Sequence, residues 1–221
     1  MSWIDKINQV WQGDCLELMK EMPDKSIDLI ITDPPYGILP KGKINDHFVW
    51  DNIDLIPFTQ KWFNESFKKL KQDSFMFIFW SQKNLKQGFE IFNPHRLFFW
   101  GYDNLIFGGN GDFAYDYEPV FVVKKGNPKL VKGKHSCKLH FTKPQSNFKL
   151  DRLQHPTQKP LELIKHLIKL VDNTNLIMDL FMGSWTTARA CMDLERNFIG
   201  AELSEKYCEI GRNRLKQQVL L

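Results

Sequence analysis

A carboxylate, two prolines and an aromatic ring stand together in the segment Asp33-Pro34-Pro35-Tyr36, directly after the apolar run 27–32. The run is short, β-branched and nearly all apolar, which is typical of a strand buried on both faces of a parallel sheet. Two consecutive prolines cannot continue a strand, so the chain must turn at the carboxyl end of the sheet, where ligands bind. Such a corner suits a flat base that carries an exocyclic amine, because it offers acceptors for the NH2 group and a ring for stacking. A plain strand-to-loop corner is the alternative.

A second candidate site spans residues 176–202, where the pattern predicts a strand, a tight turn, a helix and another strand. The turn contains Gly183, and a glycine there lets the backbone approach a ligand closely. Glu202 follows about twenty residues later at the end of the next strand, where an acid can accept hydrogen bonds from ribose hydroxyls. This spacing is typical of a crossover that binds a nucleotide-like cofactor.

A lysine-rich stretch between residues 124 and 149 is the strongest charge feature. It carries eight lysines and no acidic residue, although the net charge of the whole chain is only +4. Phe141 and Phe148 are interleaved with these lysines, as is typical of a surface that contacts a polyanion. A solvated loop is the alternative interpretation.

The elements that must position these residues alternate between strand and helix along the chain. Further buried strands are predicted at 74–80, 97–101 and 119–124, and helices from about Pro57, over 82–92 and after Pro160. This order predicts an α/β fold, with a doubly wound, mostly parallel sheet in a single domain over 1–221. Two irregular stretches are expected: a loop at 37–56 beside the corner, and a basic insertion at 126–152.

Composition excludes several other classes. Apolar residues make up 43% of the chain, which is typical of a globular protein. The four cysteines are scattered, so neither a disulfide framework nor a metal site is expected. No signal-like start and no apolar run of membrane-spanning length occurs, so a cytoplasmic location and no membrane partner are expected.

Taken together, the motifs resemble those of the β-group of S-adenosylmethionine-dependent DNA amino-methyltransferases. In that family the Asp-Pro-Pro-Tyr corner comes first, a target-recognition insertion follows, and a Phe-x-Gly-x-Gly cofactor turn comes last. The matching pieces keep this order over nearly the whole chain: Gly13-Asp14, Thr32-Asp33-Pro34-Pro35-Tyr36-Gly37, Lys124-Lys125-Gly126, His155-Pro156-Thr157-Gln158-Lys159-Pro160, Asp179-Leu180-Phe181-Met182-Gly183-Ser184 and Asn197-Phe198-Ile199-Gly200-Ala201-Glu202.

The resemblance implies a Rossmann-like methyltransferase fold and a catalytic set of Asp33, Pro34, Pro35 and Tyr36. Asp33 and the Pro34 carbonyl would accept hydrogen bonds from the target amine, and Tyr36 would stack on the extruded base. Asp14 would bind the adenine of the cofactor S-adenosylmethionine, and Glu202 would bind its ribose. Thr157 and Lys159 would bind its carboxylate. The methionine part would be lined by Asp179, Phe181, Gly183 and Ser184. Double-stranded DNA is the implied partner, with contacts from Lys129, Lys132, Lys134, Lys138, Lys143 and Lys149.

One position departs from the family pattern. Trp185 stands where the last glycine of Phe-x-Gly-x-Gly is expected, and a tryptophan there is expected to crowd the cofactor pocket or strain the turn. Adenine N6 is favoured as the target, because cytosine-N4 members more often carry Ser at the position of Asp33. Cytosine N4, an RNA or protein amide, and a DNA-binding homologue impaired in cofactor binding by Trp185 are the alternatives.

Overall fold

The computed structural model describes residues 2–36, 54–106, 115–133, 135–141 and 158–216. Four of the predicted site residues therefore lie outside the described part, namely Lys134, Lys143, Lys149 and Thr157. Most of the predicted loop at 37–56 and half of the predicted insertion at 126–152 lie outside it as well.

The described strands form one eight-stranded sheet in the order β1-β8-β7-β2-β3-β5-β4-β6. All neighbouring pairs are parallel except those that β5 makes with β3 and β4, so β5 alone runs in the opposite direction. The bounds are β1 Gln9–Gln12, β2 Ile27–Thr32, β3 Leu70–Phe79, β4 Arg96–Ile106, β5 Tyr115–Lys125, β6 Lys138–His140, β7 Leu176–Asp179 and β8 Asn197–Glu202.

Within the described ranges, six α-helices cover the two faces of this sheet. Side chains from α1, α2 and α3 join one buried core, and side chains from α4, α5 and α6 join the other. The bounds are α1 Cys15–Glu21, α2 Leu55–Lys69, α3 Leu85–Phe92, α4 Leu161–Leu170, α5 Thr186–Asp193 and α6 Glu205–Lys216. The predicted doubly wound, mostly parallel sheet is confirmed.

Strand β2 shows why the sequence folds in this way. Successive side chains of a strand point to opposite faces of its sheet. Leu29 and Ile31 accordingly belong to the core under α4 to α6, and Ile30 belongs to the core under α1 to α3. Because both faces are covered, an almost wholly apolar strand is stable there.

The chain reverses its direction of travel across the sheet between β2 and β7. From β2 the chain crosses to β3 on one side, and from β7 it crosses to β8 on the other side. In open α/β sheets such a switch point leaves a crevice at the carboxyl ends of the two strands, and ligands bind there. Asp33 follows β2 and Asp179 ends β7, so both carboxylates lie at this crevice.

Three local details differ from the predicted boundaries or add to them. Helix α2 begins at Leu55, inside the predicted loop 37–56, and its Pro57 lies in the first turn, where no amide hydrogen is needed. Pro160 is the residue before α4 and not its first helical residue. Part of the basic segment, Lys138–His140, forms the edge strand β6 beside β4.

Candidate active site at the carboxyl edge of the sheet

The strand-end residue Thr32 joins the two halves of the crevice. Its buried hydroxyl donates to Asp179 Oδ1 over 3.1 Å and accepts the amide hydrogen of Leu180 over 3.3 Å. This one side chain therefore fixes the end of β2 against the turn that follows β7. Asp33 is the next residue along the chain.

The carboxylate of Asp33 accepts two hydrogen bonds inside the protein. Tyr36 Oη donates to Oδ1, and the Lys159 ammonium donates to Oδ2 over 2.6 Å. Lys159 Nζ also lies 3.2 Å from Glu118 Oε2, and the lysine side chain is only 8% exposed. Lys159 therefore bridges two carboxylates at the Asp33 corner, whereas the family resemblance implied a contact with the cofactor carboxylate.

The pKa of Lys159 reflects two opposing effects. Burial lowers it, but the charges and hydrogen bonds of Asp33 and Glu118 outweigh burial, so that the pKa lies above the usual range of a lysine. The ammonium is consequently protonated at neutral pH. Its position 5.1 Å from the ring centroid of Phe79 adds a cation–π contact.

Tyr36 is half-buried and is held from two sides. Its ring packs edge-on against Trp80 with centroids 5.8 Å apart, and its carbonyl accepts a hydrogen bond of 2.7 Å from Asn84 Nδ2. Burial, together with the negative charges of Asp33 and Glu118, raises its pKa well above the ordinary value. The phenol therefore stays protonated and serves as a donor to Asp33.

Asp179 is a buried acid that ends β7. It accepts hydrogen bonds from the Thr187 hydroxyl at 2.6 Å, from Thr32 and from the amide of Phe181. Burial raises its pKa to about 6, against the lowering effect of these hydrogen bonds. The carboxyl group is thus largely ionised at pH 7 and takes up a proton on mild acidification.

Glu202 holds the glycine turn that follows β7 against the end of β8. Its two oxygens accept the amide hydrogens of Gly183 at 2.7 Å and Ser204 at 2.8 Å. The side chain is 7% exposed, and burial raises its pKa to about 6 despite these bonds. The amide of Met182 also donates to the Ala201 carbonyl over 2.9 Å, so the turn lies directly on β8.

Trp185 completes this turn in the left-handed backbone region, with a φ of 60°. The expected strain of the turn is therefore present, since this region is unfavourable for residues other than glycine. The indole is 5% exposed and packs in the core with α4 to α6, against Gly211 of α6. Its Nε1 has no hydrogen-bond partner among the described residues.

Asp14 and Phe181 lie near the same edge of the sheet. The amide of Gly13 donates to the Glu202 carbonyl over 3.0 Å, so Asp14 follows next to the end of β8, where its side chain also caps α1. Phe181 packs edge-on against Trp62 of α2, with centroids 5.6 Å apart. These contacts bring the predicted adenine and methionine residues to one edge.

The predicted DNA-binding lysines are less closely grouped. Lys132 and Lys138 are exposed, and Lys138 lies on β6 at the far edge of the sheet from β1. Lys129 lines a shallow polar groove with Asp28 and Asp73, at the amino ends of β2 and β3. The structure therefore does not bring Lys129 together with the catalytic corner, and its DNA contact stays a prediction.

Several residues of the site escaped the sequence analysis. Glu118 on β5 is one, although an acid directly before the apolar run 119–123 is a usable signal. Arg214 on α6 is another: it donates to the Ser184 carbonyl over 3.0 Å and to Thr186 Oγ1 over 2.9 Å. It would also donate to Gln158, next to Lys159, with the Gln158 side-chain amide turned so that its oxygen faces the guanidinium.

Two absences hold within the described ranges. No group of three or more His, Cys, Asp or Glu side chains there could hold a metal ion. No helix in those ranges is long and apolar enough to cross a membrane.

The geometry thus combines two functions at one crevice. On the β2 side stand acceptors and an aromatic ring for a planar amine, and on the β7 side stand two buried carboxylates beside a glycine turn. The two sides are close enough for Thr32, at the end of β2, to hydrogen-bond with Asp179 and Leu180 on the β7 side.

Comparison with known proteins agrees with this arrangement. The family model N6_N4_Mtase, described as DNA methylase, matches residues 27–213. A type II methyltransferase of Moraxella bovis, M1.MboII, is 29% identical, over 91% of this chain and 94% of its own. The DNA adenine methyltransferase YhdJ of Escherichia coli K12 is 28% identical, over 92% of this chain and 81% of its own.

Solved structures show the same likeness. The complex of M1.HpyAVI with SAM is 26% identical and superposes with a TM-score of 0.69, covering 93% of this chain and 98% of that one. The PvuII cytosine-N4-specific DNA methyltransferase is 20% identical, with a TM-score of 0.75 over 96% of this chain and 88% of that one. The second likeness concerns the fold alone.

Proposed function

The chain belongs to the N6/N4 DNA methylase family, and on that premise we propose that it methylates the N6 amine of adenine in double-stranded DNA. Its class is that of a DNA amino-methyltransferase with S-adenosylmethionine as methyl donor. The observation that carries the finer assignment is Asp33, an acid at the corner where cytosine-N4 members of the family more often carry Ser.

The residues of the crevice fit this cofactor. A carboxylate offers about four lone-pair sites. Glu202 uses two of them within the protein, which leaves acceptors for two ribose hydroxyls. Asp179 is a buried anion that suits the α-ammonium group, and the indole of Trp185 packs toward Gly211 of α6.

The remaining cofactor contacts stay proposals. Asp14 would accept a hydrogen bond from the adenine amine. The methionine part would be lined by Phe181, Gly183 and Ser184, and the carboxylate would be held by Lys159 and Thr157. In the structure the Lys159 ammonium already contacts two carboxylates of the protein, those of Asp33 and Glu118.

When bound, the cofactor supplies an electrophilic methyl group on a positively charged sulfur. An exocyclic amine of adenine is a weak nucleophile, because its lone pair is delocalised into the ring. Asp33 and the Pro34 carbonyl would accept hydrogen bonds from its two N–H groups. These hydrogen bonds favour a pyramidal nitrogen and stabilise the positive charge that develops on it. Holding the amine in line with the methyl group supplies much of the rate increase.

Tyr36 supplies the orientation of the base. Its ring is fixed by Trp80 and its carbonyl by Asn84, so little conformational freedom remains to be lost when a base stacks on it. A base inside a duplex cannot reach this crevice and must be flipped out, at a cost of a few kcal/mol. Pro35 keeps the corner rigid, since its ring fixes φ.

Nucleoside mass spectrometry on unmethylated DNA incubated with the protein and S-adenosylmethionine tests the proposal. We expect N6-methyladenine. N4-methylcytosine would keep the reaction class and overturn the adenine assignment. The Asp33→Ala variant serves as the matched negative control, since it lacks the side-chain acceptor.

A further inference from the structure

The catalytic corner contains a second acid, Glu118, for which neither the family motifs nor the preceding mechanism has a role. Its Oε2 lies 3.2 Å from Lys159 Nζ, and the same ammonium lies 2.6 Å from Asp33 Oδ2. The order of the three charged groups is therefore Asp33, Lys159, Glu118, with the lysine between two carboxylates.

This arrangement is fixed by the sheet. Glu118 lies on β5, opposite Trp100 of β4 in the strand register. The next residue, Pro119, accepts the amide hydrogen of Trp80 over 3.0 Å, at the end of β3. Because β5 runs against its neighbours, the start of this strand comes to the same edge as the end of β2.

We propose that Glu118 is a positioning residue that draws the Lys159 ammonium away from Asp33 when the target amine binds. This rests on the proposed function, since it assigns Asp33 to the amine. Both oxygens of Asp33 accept donors from the protein, one from Tyr36 and one from Lys159. An incoming amine competes with these donors, and Glu118 gives the displaced ammonium a partner already within reach.

Charge balance gives the second reason. The two carboxylates of Asp33 and Glu118 carry more charge than the single ammonium of Lys159, so the corner would keep one net negative charge beside the amine nitrogen, where positive charge would develop. Without the carboxylate of Glu118, Asp33 would be the only described ion-pair partner of Lys159. The ammonium would then neutralise Asp33 and stay bound to it. An electrostatic group aimed at developing charge acts most strongly in such a partly buried site.

The test is a pair of variants measured in single-turnover methyl transfer at saturating cofactor and DNA. We expect Glu118→Gln to slow transfer by about tenfold to a hundredfold, with cofactor and DNA dissociation constants within about threefold of wild type. Adding Lys159→Met to Glu118→Gln should raise the rate again, because the ammonium no longer competes for Asp33. Glu118→Asp should be faster than Glu118→Gln.

Glu65→Gln is the matched control, since Glu65 makes an ion pair of 2.7 Å with Lys68 on α2, away from the crevice. It should leave the transfer rate unchanged. The proposal is overturned if Lys159→Met slows the Glu118→Gln variant further, or if Glu118→Gln transfers methyl groups as fast as wild type.

A readout without catalysis separates this proposal from the proposed function. In a double-mutant cycle of urea midpoints, Glu118→Gln and Lys159→Met should be strongly non-additive. Coupling without any methylation by wild type would retain the Glu118–Lys159 contact and reject the proposed function. Additive midpoints would reject the contact itself, whatever the activity.

Discussion

Trp185 occupies the space that a side chain at position 211 would need. A Cβ built on Gly211 would lie 2.0 Å from Cδ2 of the Trp185 indole, a separation that real structures do not show. The tryptophan at the cofactor turn and the glycine in α6 are therefore a complementary pair. Restoring the family's glycine at position 185 would break this pair.

Trp185→Gly should consequently destabilise the protein. Removing a buried tryptophan costs about 3–5 kcal/mol, whereas relieving a left-handed residue returns about 1–2 kcal/mol. We expect a net loss of about 1–4 kcal/mol in the free energy of unfolding, measured by urea denaturation. If Trp185 instead covered the cofactor site, Trp185→Gly would bind S-adenosylmethionine more tightly and lose little stability.

The effect of Gly211→Ala on the free energy of unfolding should have opposite signs in the wild type and in Trp185→Gly. In the wild type the new Cβ collides with the indole, and overpacking of this kind costs about 1–3 kcal/mol. In Trp185→Gly the space is open, so the higher helix propensity of alanine should stabilise α6 by up to about 1 kcal/mol. Equal effects in the two backgrounds, measured by urea unfolding, would disprove the pairing.

Asp33→Ala should abolish methyl transfer while leaving cofactor affinity equal or slightly higher. The transfer rate should fall by about a thousandfold or more, because the amine loses its charged acceptor. Lys159 loses one of its two carboxylates, so its ammonium becomes more available to the carboxylate of the cofactor. Calorimetry with S-adenosylmethionine and a filter assay of methylated DNA measure the two effects. Surviving activity would remove Asp33 from the catalytic set.

Asp179 should give cofactor binding and stability opposite pH dependences. Burial raises its folded pKa to about 6 from an ordinary 3.8, so the folded protein binds the extra proton between these pH values. The resulting stabilisation, about 3 kcal/mol for a shift of two units, is present below pH 4 and is lost as pH rises through 6. The proposed contact of Asp179 with the α-ammonium group of the cofactor needs the anion, so cofactor affinity should instead fall as pH drops below 6.

Asp179→Asn is the control for this pH dependence. Its free energy of unfolding should depend less steeply on pH between 4 and 6 than that of wild type, and its cofactor affinity should be low at every pH. Glu202, whose pKa is also about 6, keeps a smaller slope in the variant. An unchanged stability profile in Asp179→Asn would show that this carboxyl does not titrate near 6.

The basic segment should contribute to DNA affinity unequally. A triple variant, Lys138→Gln with Lys143→Gln and Lys149→Gln, should weaken binding and lower the salt slope by about 0.9 for each lost phosphate contact. Lys129→Gln should have the smaller effect, since Lys129 lies at the opposite edge of the sheet from Asp33. Binding isotherms at several salt concentrations test this, and an unchanged slope in the triple variant would remove these lysines from the interface.

The parts of the fold that were predictable are those written locally in the sequence. The strand at 27–32 is identified by its composition and the corner by two prolines, and both lie where expected. The contact of Lys159 with Glu118 has no local signature, because it depends on β5 running antiparallel and on its register with β3 and β4. The direction of the Trp185 side chain likewise depends on a glycine 26 residues away in α6.

Because the chain reverses between β2 and β7, the site has two halves whose residues can be substituted separately. Residues expected to meet the methyl donor stand mainly at the ends of β7, β8 and β1, and residues expected to meet the base follow β2. Trp80 after β3 and Glu118 on β5 support the base side through Tyr36 and Lys159. Few described side chains cross the divide, Thr32 and Lys159 among them. Substitutions on the β3 and β5 side can therefore be screened for a new target while donor binding is retained, provided that these two bridges are left intact.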